Sequence, residues 1–443
     1  MTVLFLLISV VLMVLLTTRF SLHPFLSLFL VSLLYGLFAG MSFESIVSSV
    51  NEGFGGTMGK IGLIIVFGII IGTFLENSGA AYTLADKILN LVGRKNVVPA
   101  MGIIGYFISI PVFADSGFLL VSPLNKSVSK KAGISFAGAA VALGLGLTAT
   151  HTMVPPTPGP VAAAGILEAD VGLVMMIGLP ISALALIPGL LFAGWYASKT
   201  YIDPNPGATE SEIEMRARSA PRAMKSSLPV VVPIVLIVLK SIATTGESVF
   251  DPDVVALLSF IGEPVIALLV GALLALTLPE KLTPDMLSTE GWIGKSLRDS
   301  ATILLITGAG GIFGKILQNS GIADSLGDTL AGVRAGIWIP FLLAAAIKTA
   351  QGSSTVAMIT AASIMAPMMN SLGFDTEMKK ALVVIALGAG SAVVSHANDS
   401  FFWVVTQLSG MNVKTGYRLY TVGTLVLGGG AALTVFVVSI FFM

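Results

Sequence analysis

FISIPVFADSGFLLVSP, from Phe107 to Pro123, sets the carboxylate of Asp115 beside Ser116 and Gly117 inside sequence otherwise apolar enough for a lipid bilayer. A charge near the bilayer centre costs at least about 2.5 to 3.5 kcal/mol and marks a pathway or a paired interior site. Bent backbone at that depth survives only where protein or a water-filled cavity satisfies its polar groups. The stretch 97–126 therefore reads as a re-entrant hairpin with Asp115 at its tip. A second long apolar stretch, 336–369, is interrupted the same way by IKTAQGSSTVAM, Ile347 to Met358. Its tip holds no acid but offers Lys348, Gln351, Gly352, Ser353, Ser354 and Thr355.

Around these two interruptions the chain is strongly apolar. Of its 443 residues 55% are hydrophobic and 11% charged, against roughly 25% charged in an ordinary soluble domain; the mean hydropathy is +0.94. Stretches long enough to cross a bilayer run over 2–18, 24–40, 61–76, 133–150, 171–197, 228–243, 254–278, 300–319, 380–394 and 418–442, about ten crossings. The fold class expected is an all-α polytopic membrane protein. No soluble domain fits, since the longest polar stretch, 199–227, is too short to bury a core. The N-terminus lacks a basic n-region and a small-x-small cleavage site, so it reads as a retained helix.

The composition also excludes functions. Cysteine is absent, which removes disulfides and thiolate chemistry. The three histidines, His23, His151 and His396, are too few for a histidine-rich metal site, so neither a metal nor a cofactor is expected. Net charge is zero with scattered basic residues, which argues against nucleic acid as a partner.

An internal repeat divides the chain. FLENSGAAYTLAD from Phe74 matches ILQNSGIADSLGD from Ile316, pairing Leu75 with Leu317, Asn77 with Asn319, Gly79 with Gly321, Leu84 with Leu326 and Asp86 with Asp328. LGLGLTATHTMVPP from Leu143 resembles LGAGSAVVSHANDS from Leu387. Two copies of about five crossings each must lie in opposite orientation, as in many secondary transporters. The boundaries expected are a first repeat at 1–198 (broken helix about 133–167), a cytoplasmic linker at 199–227 and a second repeat at 228–443 (broken helix about 380–408). Loop charge orients them. Arg19, Arg94, Lys95, Lys130, Lys131, Arg216, Arg218, Lys414 and Arg418 gather on one side, while Glu44, Glu168, Asp170, Glu247 and Asp251 gather on the other with few bases, among them Arg334. Basic residues favour the cytoplasm, so both termini should be external.

Two more interruptions complete the candidate site. THTMVPPTPGP, from Thr150, breaks a helix because proline lacks an amide donor, and its repeat partner SHANDSFF, from Ser395, supplies His396, Asn398, Asp399 and Ser400. Half-helix N-termini at such breaks favour anionic groups. Ser116, Gly117, Thr152, Gln351, Gly352, Ser353, Ser354, Thr355, Asn398 and Ser400 are the candidate substrate contacts, because amides and hydroxyls suit a carboxylate or a polyhydroxy compound. Asp115, Asp399, His151 and His396 are the candidate proton carriers, on burial of the acids and the near-neutral titration of imidazole. A structural reading stands beside each: Asp115 as a helix cap, the histidines as hydrogen-bonded packing residues, Lys348 as a side chain that snorkels or pairs.

With PVFADSGFLLVSPL, HTMVPPTPGP, GSSTVAMITAASIMAP and NDSFFW all in order along the chain, the sequence resembles the gluconate permease family of the wider ion transporter superfamily. That resemblance implies proton symport of gluconate or another small hydroxy-carboxylate across the cell inner membrane, with D-serine or another organic acid as an alternative cargo. It implies an elevator-type fold, a dimerising scaffold beside a mobile transport domain holding two hairpins and two broken helices, and hence a homodimer. Family members tend to carry Glu then Val where this chain has Asp115 and Ser116, which alters pocket size and polarity. Sodium coupling, ion antiport and an intramembrane enzyme built on Asp115 and Asp399 are the rival readings. No nucleophile or zinc constellation accompanies the two acids, so an enzyme is not expected.

Overall fold

In the computed structural model the described residues are 2–93, 96–204, 220–244, 251–321 and 336–442, and they are helical apart from turns and short connections. Arg94, Lys95, Arg216, Arg218, Glu247, Leu326, Asp328, Arg334 and most of the 199–227 linker lie outside them. In chain order the helices are α1 (Thr2–Thr18), α2 (Pro24–Phe38), α3 (Phe43–Asn77), α4 (Ala80–Val92), α5 (Val97–Ile108), α6 (Ala114–Lys131), α7 (Phe136–Met153), α8 (Pro158–Leu167) and α9 (Val171–Trp195). After the linker come α10 (Ala223–Thr244), α11 (Pro252–Ile261), α12 (Pro264–Ala275), α13 (Trp292–Asn319), α14 (Trp338–Gln351), α15 (Ser354–Met365), α16 (Glu377–Ala392), α17 (Ser400–Ser409) and α18 (Val422–Ser439).

Every one of the ten apolar stretches contains helix, but they do not all form a straight span. Among the described residues, 6 helical segments are long and apolar enough to cross a bilayer alone, or 7 with one bent pair counted as a span. Helices α1, α2 and α16 have 17, 15 and 16 residues. The stretch 254–278, read from sequence as one crossing, is two helices, α11 and α12, meeting at 61°. Pro264 starts the second helix without an amide donor to offer the first. Gly262 lets α10 come close, since a methyl there would lie 2.4 Å from the Leu236 carbonyl oxygen.

The centre of one half of the molecule is the crossing of α3 and α13. They are antiparallel: Trp292, which opens α13, packs edge-on to Phe74 near the end of α3, at 5.0 Å between ring centroids. Lys315, near the end of α13, pairs with Glu52 near the start of α3 at 3.2 Å. Small residues permit the contact, because a methyl on Gly53 would sit 2.6 Å from the Gly311 carbonyl oxygen. Both helices finish in Asn-Ser-Gly, with Gly79 and Gly321 left-handed at φ 76° and 72°. There the backbone N–H of Ser78 donates to Phe74 and that of Ser320 to Ile316, the usual closure of a helix by a left-handed glycine.

The other half surrounds α7, where 94% of the most apolar window of Phe136–Leu167 is buried. Helix α5 lies against α7 at backbone distance, since a methyl on Gly146 would meet the Gly102 carbonyl oxygen at 2.0 Å. Four helical runs are interrupted here. Helix α5 stops at Ile108 and α6 starts at Ala114; α7 stops at Met153 and α8 starts at Pro158. In the second half α14 stops at Gln351 and α15 starts at Ser354; α16 stops at Ala392 and α17 starts at Ser400. Helix α3 touches two of the interruptions through Gly68 and Gly72, which face the Pro156 and Pro111 carbonyl oxygens.

Candidate functional site

The interruptions converge on a cavity of about 360 Å³, within the range of roughly 300–1,000 Å³ usual for small-molecule sites. Its wall takes Asp115 from the first turn of α6, and His151 and Thr152 from the end of α7. Gln351, Ser353, Ser354 and Thr355 come from the α14–α15 turn, and Asn398, Asp399 and Ser400 from the second break. The cavity thus gathers ten of the fourteen candidate residues. Ser116, Gly117, Gly352 and His396 are not in its wall. Gly117 instead faces Leu147, a methyl there meeting its Cδ2 at 2.7 Å. His396 turns its Nε2–H to the Thr349 carbonyl oxygen at 2.8 Å, and its ring stacks near Tyr417 at 6.3 Å.

Local capping explains where α15 and α17 start, whereas α6 begins after Phe113 without a side-chain cap. Ser353 accepts the Val356 N–H at 3.3 Å through its Oγ, and Asp399 accepts the Phe401 N–H at 3.0 Å through Oδ1. Each supplies the side-chain oxygen that a helix N-terminus requires. The first turns of α6, α15 and α17 all border one space. Backbone N–H groups at such turns carry partial positive charge and favour an anion.

Two acids face this space in different circumstances. Asp399 is 8% exposed and fully engaged: its Oδ2 lies 2.6 Å from Lys348 Nζ and accepts Ser395 Oγ–H at 2.5 Å. Asp115 is exposed within the cavity and has no ion-pair partner among the described residues. His151 presents a buried Nδ1 with no hydrogen-bond partner among the described residues, and its ring lies 6.1 Å from that of Phe113. The hydroxyls near it are tied internally, Thr152 to the Thr148 carbonyl at 3.0 Å and Thr148 to Tyr420 Oη at 3.1 Å.

Lining residues that the sequence did not single out are Thr148, Ser395, Tyr420, Phe113 and Phe401, with Thr17, Leu22 and Pro24 from the α1–α2 connection. Ser395 and Phe401 stood within SHANDSFF, Phe113 within FISIPVFADSG and Thr148 within LGLGLTATHTMVPP, but as members of those stretches and not as site residues. The others are aromatic, aliphatic or hydroxyl residues in apolar surroundings, which look the same whether they face a cavity or a neighbouring helix.

The chain is similar to known permeases over nearly its whole length. The family model for GntP family permeases matches residues 1–441. A gluconate permease of Pseudomonas aeruginosa is 34% identical over 94% of this chain and 92% of its own length. The D-serine transporter DsdX of Escherichia coli is 32% identical over 98% of this chain and 97% of its own length. The crystal structure of the Alcanivorax borkumensis YdaH transporter superposes with a TM-score of 0.66 at 14% identity, covering 95% of this chain and 98% of that one. The likeness to YdaH is one of fold.

Proposed function

The chain belongs to the GntP permease family, and from that premise we propose that it takes up gluconate or a related small hydroxy-carboxylate in symport with protons. In this reading two inverted repeats, 1–198 and 228–443, joined by a linker at 199–227, form an elevator-type transporter. The α5–α6 and α14–α15 pairs are its re-entrant hairpins, and two copies assemble through the scaffold in the inner membrane with both termini outside. The antiparallel crossing of α3 and α13, helices that carry the same Asn-Ser-Gly repeat signal, supports the inverted arrangement.

The single observation that carries the cargo assignment is the cavity wall, where three half-helix first turns and a set of amides and hydroxyls face Asp115, a carboxylate with no ion-pair partner among the described residues. An anion drawn to the helix N-termini meets a like charge if Asp115 is ionised, and two like charges a few ångströms apart repel by about 1 kcal/mol even in water and more in a less polar site. A proton on Asp115 removes that repulsion, so proton and anion enter together. Asp399, held by Lys348, and the two histidines are lesser candidates for the proton.

A second reading has its own support in the 32% identity to a D-serine transporter. An amino acid would set its ammonium against ionised Asp115 and its carboxylate against the helix turns. Purified protein in liposomes, with an inward pH gradient and no sodium, separates the two. Accumulation of gluconate driven by the gradient supports proton symport of a hydroxy acid. Accumulation of D-serine alone, or of either only with sodium, contradicts it.

A further inference from the structure

We propose that Lys348 is a positioning residue for transport and not a ligand of the cargo, and that it fastens the α14–α15 turn to the break before α17. The inference rests on the transport reading above. The Lys348 side chain borders the cavity but is only 1% exposed, and its ammonium is already held from two sides. Of its three N–H donors, one goes to the Gly352 carbonyl oxygen and one to Asp399 Oδ2 at 2.6 Å. Gly352 is left-handed at φ 93° and closes the turn. Asp399 caps α17 through its other oxygen. One buried ammonium thus joins the turn that precedes α15 to the residue that starts α17.

Further bonds run the same way. The Asn398 side-chain amide donates to the Thr349 carbonyl at 2.9 Å and to that of Ala350 at 3.2 Å, and His396 donates to the Thr349 carbonyl as well. The turn is also too close to the break for any side chain at 352, where a methyl would lie 2.1 Å from the Asn398 carbonyl oxygen. In the first half, the position equivalent to Asp399 at the repeat offset of 244 is Pro155 (399 − 244 = 155), which has no charge to contribute. The second turn and second break are therefore fastened to each other by an ion pair that Pro155 cannot reproduce in the first half. The first turns of α15 and α17 present one wall to the cargo as a consequence.

Removing one member of a buried ion pair leaves an uncompensated charge and is strongly disruptive, whereas replacing both with neutral groups of similar size is often tolerated. A cargo ligand behaves differently, because no second substitution restores it. The test is counterflow of labelled gluconate in liposomes at equal pH on both sides, where no proton gradient is needed, using the full chain. Lys348→Met and Asp399→Asn should each slow counterflow by about tenfold or more and raise KM. The double variant Lys348→Met/Asp399→Asn should exceed Lys348→Met by about tenfold and show a KM near that of the parent. A double variant no faster than Lys348→Met overturns the proposal, and so does one that fails to accumulate as folded protein when the parent does. Absence of counterflow of both gluconate and D-serine in the parent overturns the transport reading itself, and the role of Lys348 with it.

Discussion

The Asn319 side-chain amide donates to Ser49 Oγ at 2.9 Å, tying the last residue of α13 to the second turn of α3. Its repeat counterpart, Asn77, turns back instead to the Thr73 carbonyl of its own helix at 2.7 Å. The two equivalent residues therefore use their side-chain amides differently, and only Asn319 reaches across the crossing.

That contact predicts a disulfide. The chain has no cysteine, so Ser49→Cys/Asn319→Cys is a unique pair. It should oxidise readily in membranes, detected as a shift on non-reducing gels, and leave uptake largely intact because neither helix contributes a residue to the cavity wall. Failure to form the bond would contradict the antiparallel crossing.

Gly72 predicts a packing defect. A methyl there would lie 2.5 Å from the Pro111 carbonyl oxygen, which is backbone and cannot swing aside. Gly72→Ala should lower stability by about 1–3 kcal/mol, read as a drop in the thermal unfolding midpoint in detergent. Gly59→Ala, with nothing within 4 Å of the added carbon, is the control and should match or slightly exceed the parent.

The pair Lys60 and Glu168, 2.6 Å apart, joins α3 to the residue after α8. The hydrogen bond from Lys60, with its charge, holds the Glu168 carboxyl below the usual value of 4.5. A carboxyl with a lowered folded pKa stabilises above its unfolded value and loses that contribution as pH falls through the folded one. Because both side chains are more than half exposed, the contribution is at most about 1 kcal/mol. Lys60→Met should thus lower the unfolding midpoint slightly near neutral pH, and the difference from the parent should shrink as pH falls below 4.5 and vanish once it has passed the folded pKa. A difference that persists in acid would show that Lys60 acts through packing instead.

Much of the site was legible because polar and proline-containing sequence stands out in apolar surroundings. PVFADSG, VPPTPGP, QGSS and SHANDS each lack what a buried helix needs, and the helices end at Ile108, Met153, Gln351 and Ala392 beside them. Other features had no such contrast. Helix α3 starts at Phe43, well before the apolar stretch at 61, because the glycines and polar residues of SSVNEGFGGTMGK hide helical continuity. The bend between α11 and α12 was masked by uniform hydropathy. Tyr420 and Thr148 read as ordinary core, since which face of a buried helix meets a cavity depends on packing partners hundreds of residues away. The partner of Lys348 was likewise 51 residues distant, and no spacing rule joins them.

The proposed coupling turns on Asp115, the cavity carboxylate without an ion-pair partner among the described residues. The measurement that tests it most directly is proton-driven accumulation of gluconate by Asp115→Asn in liposomes, compared with its exchange of internal for external gluconate. The account predicts that accumulation is lost, by about tenfold or more as expected for removal of a group that transfers the proton, while exchange continues at a rate near that of the parent. Accumulation at the parental level in this variant would contradict it.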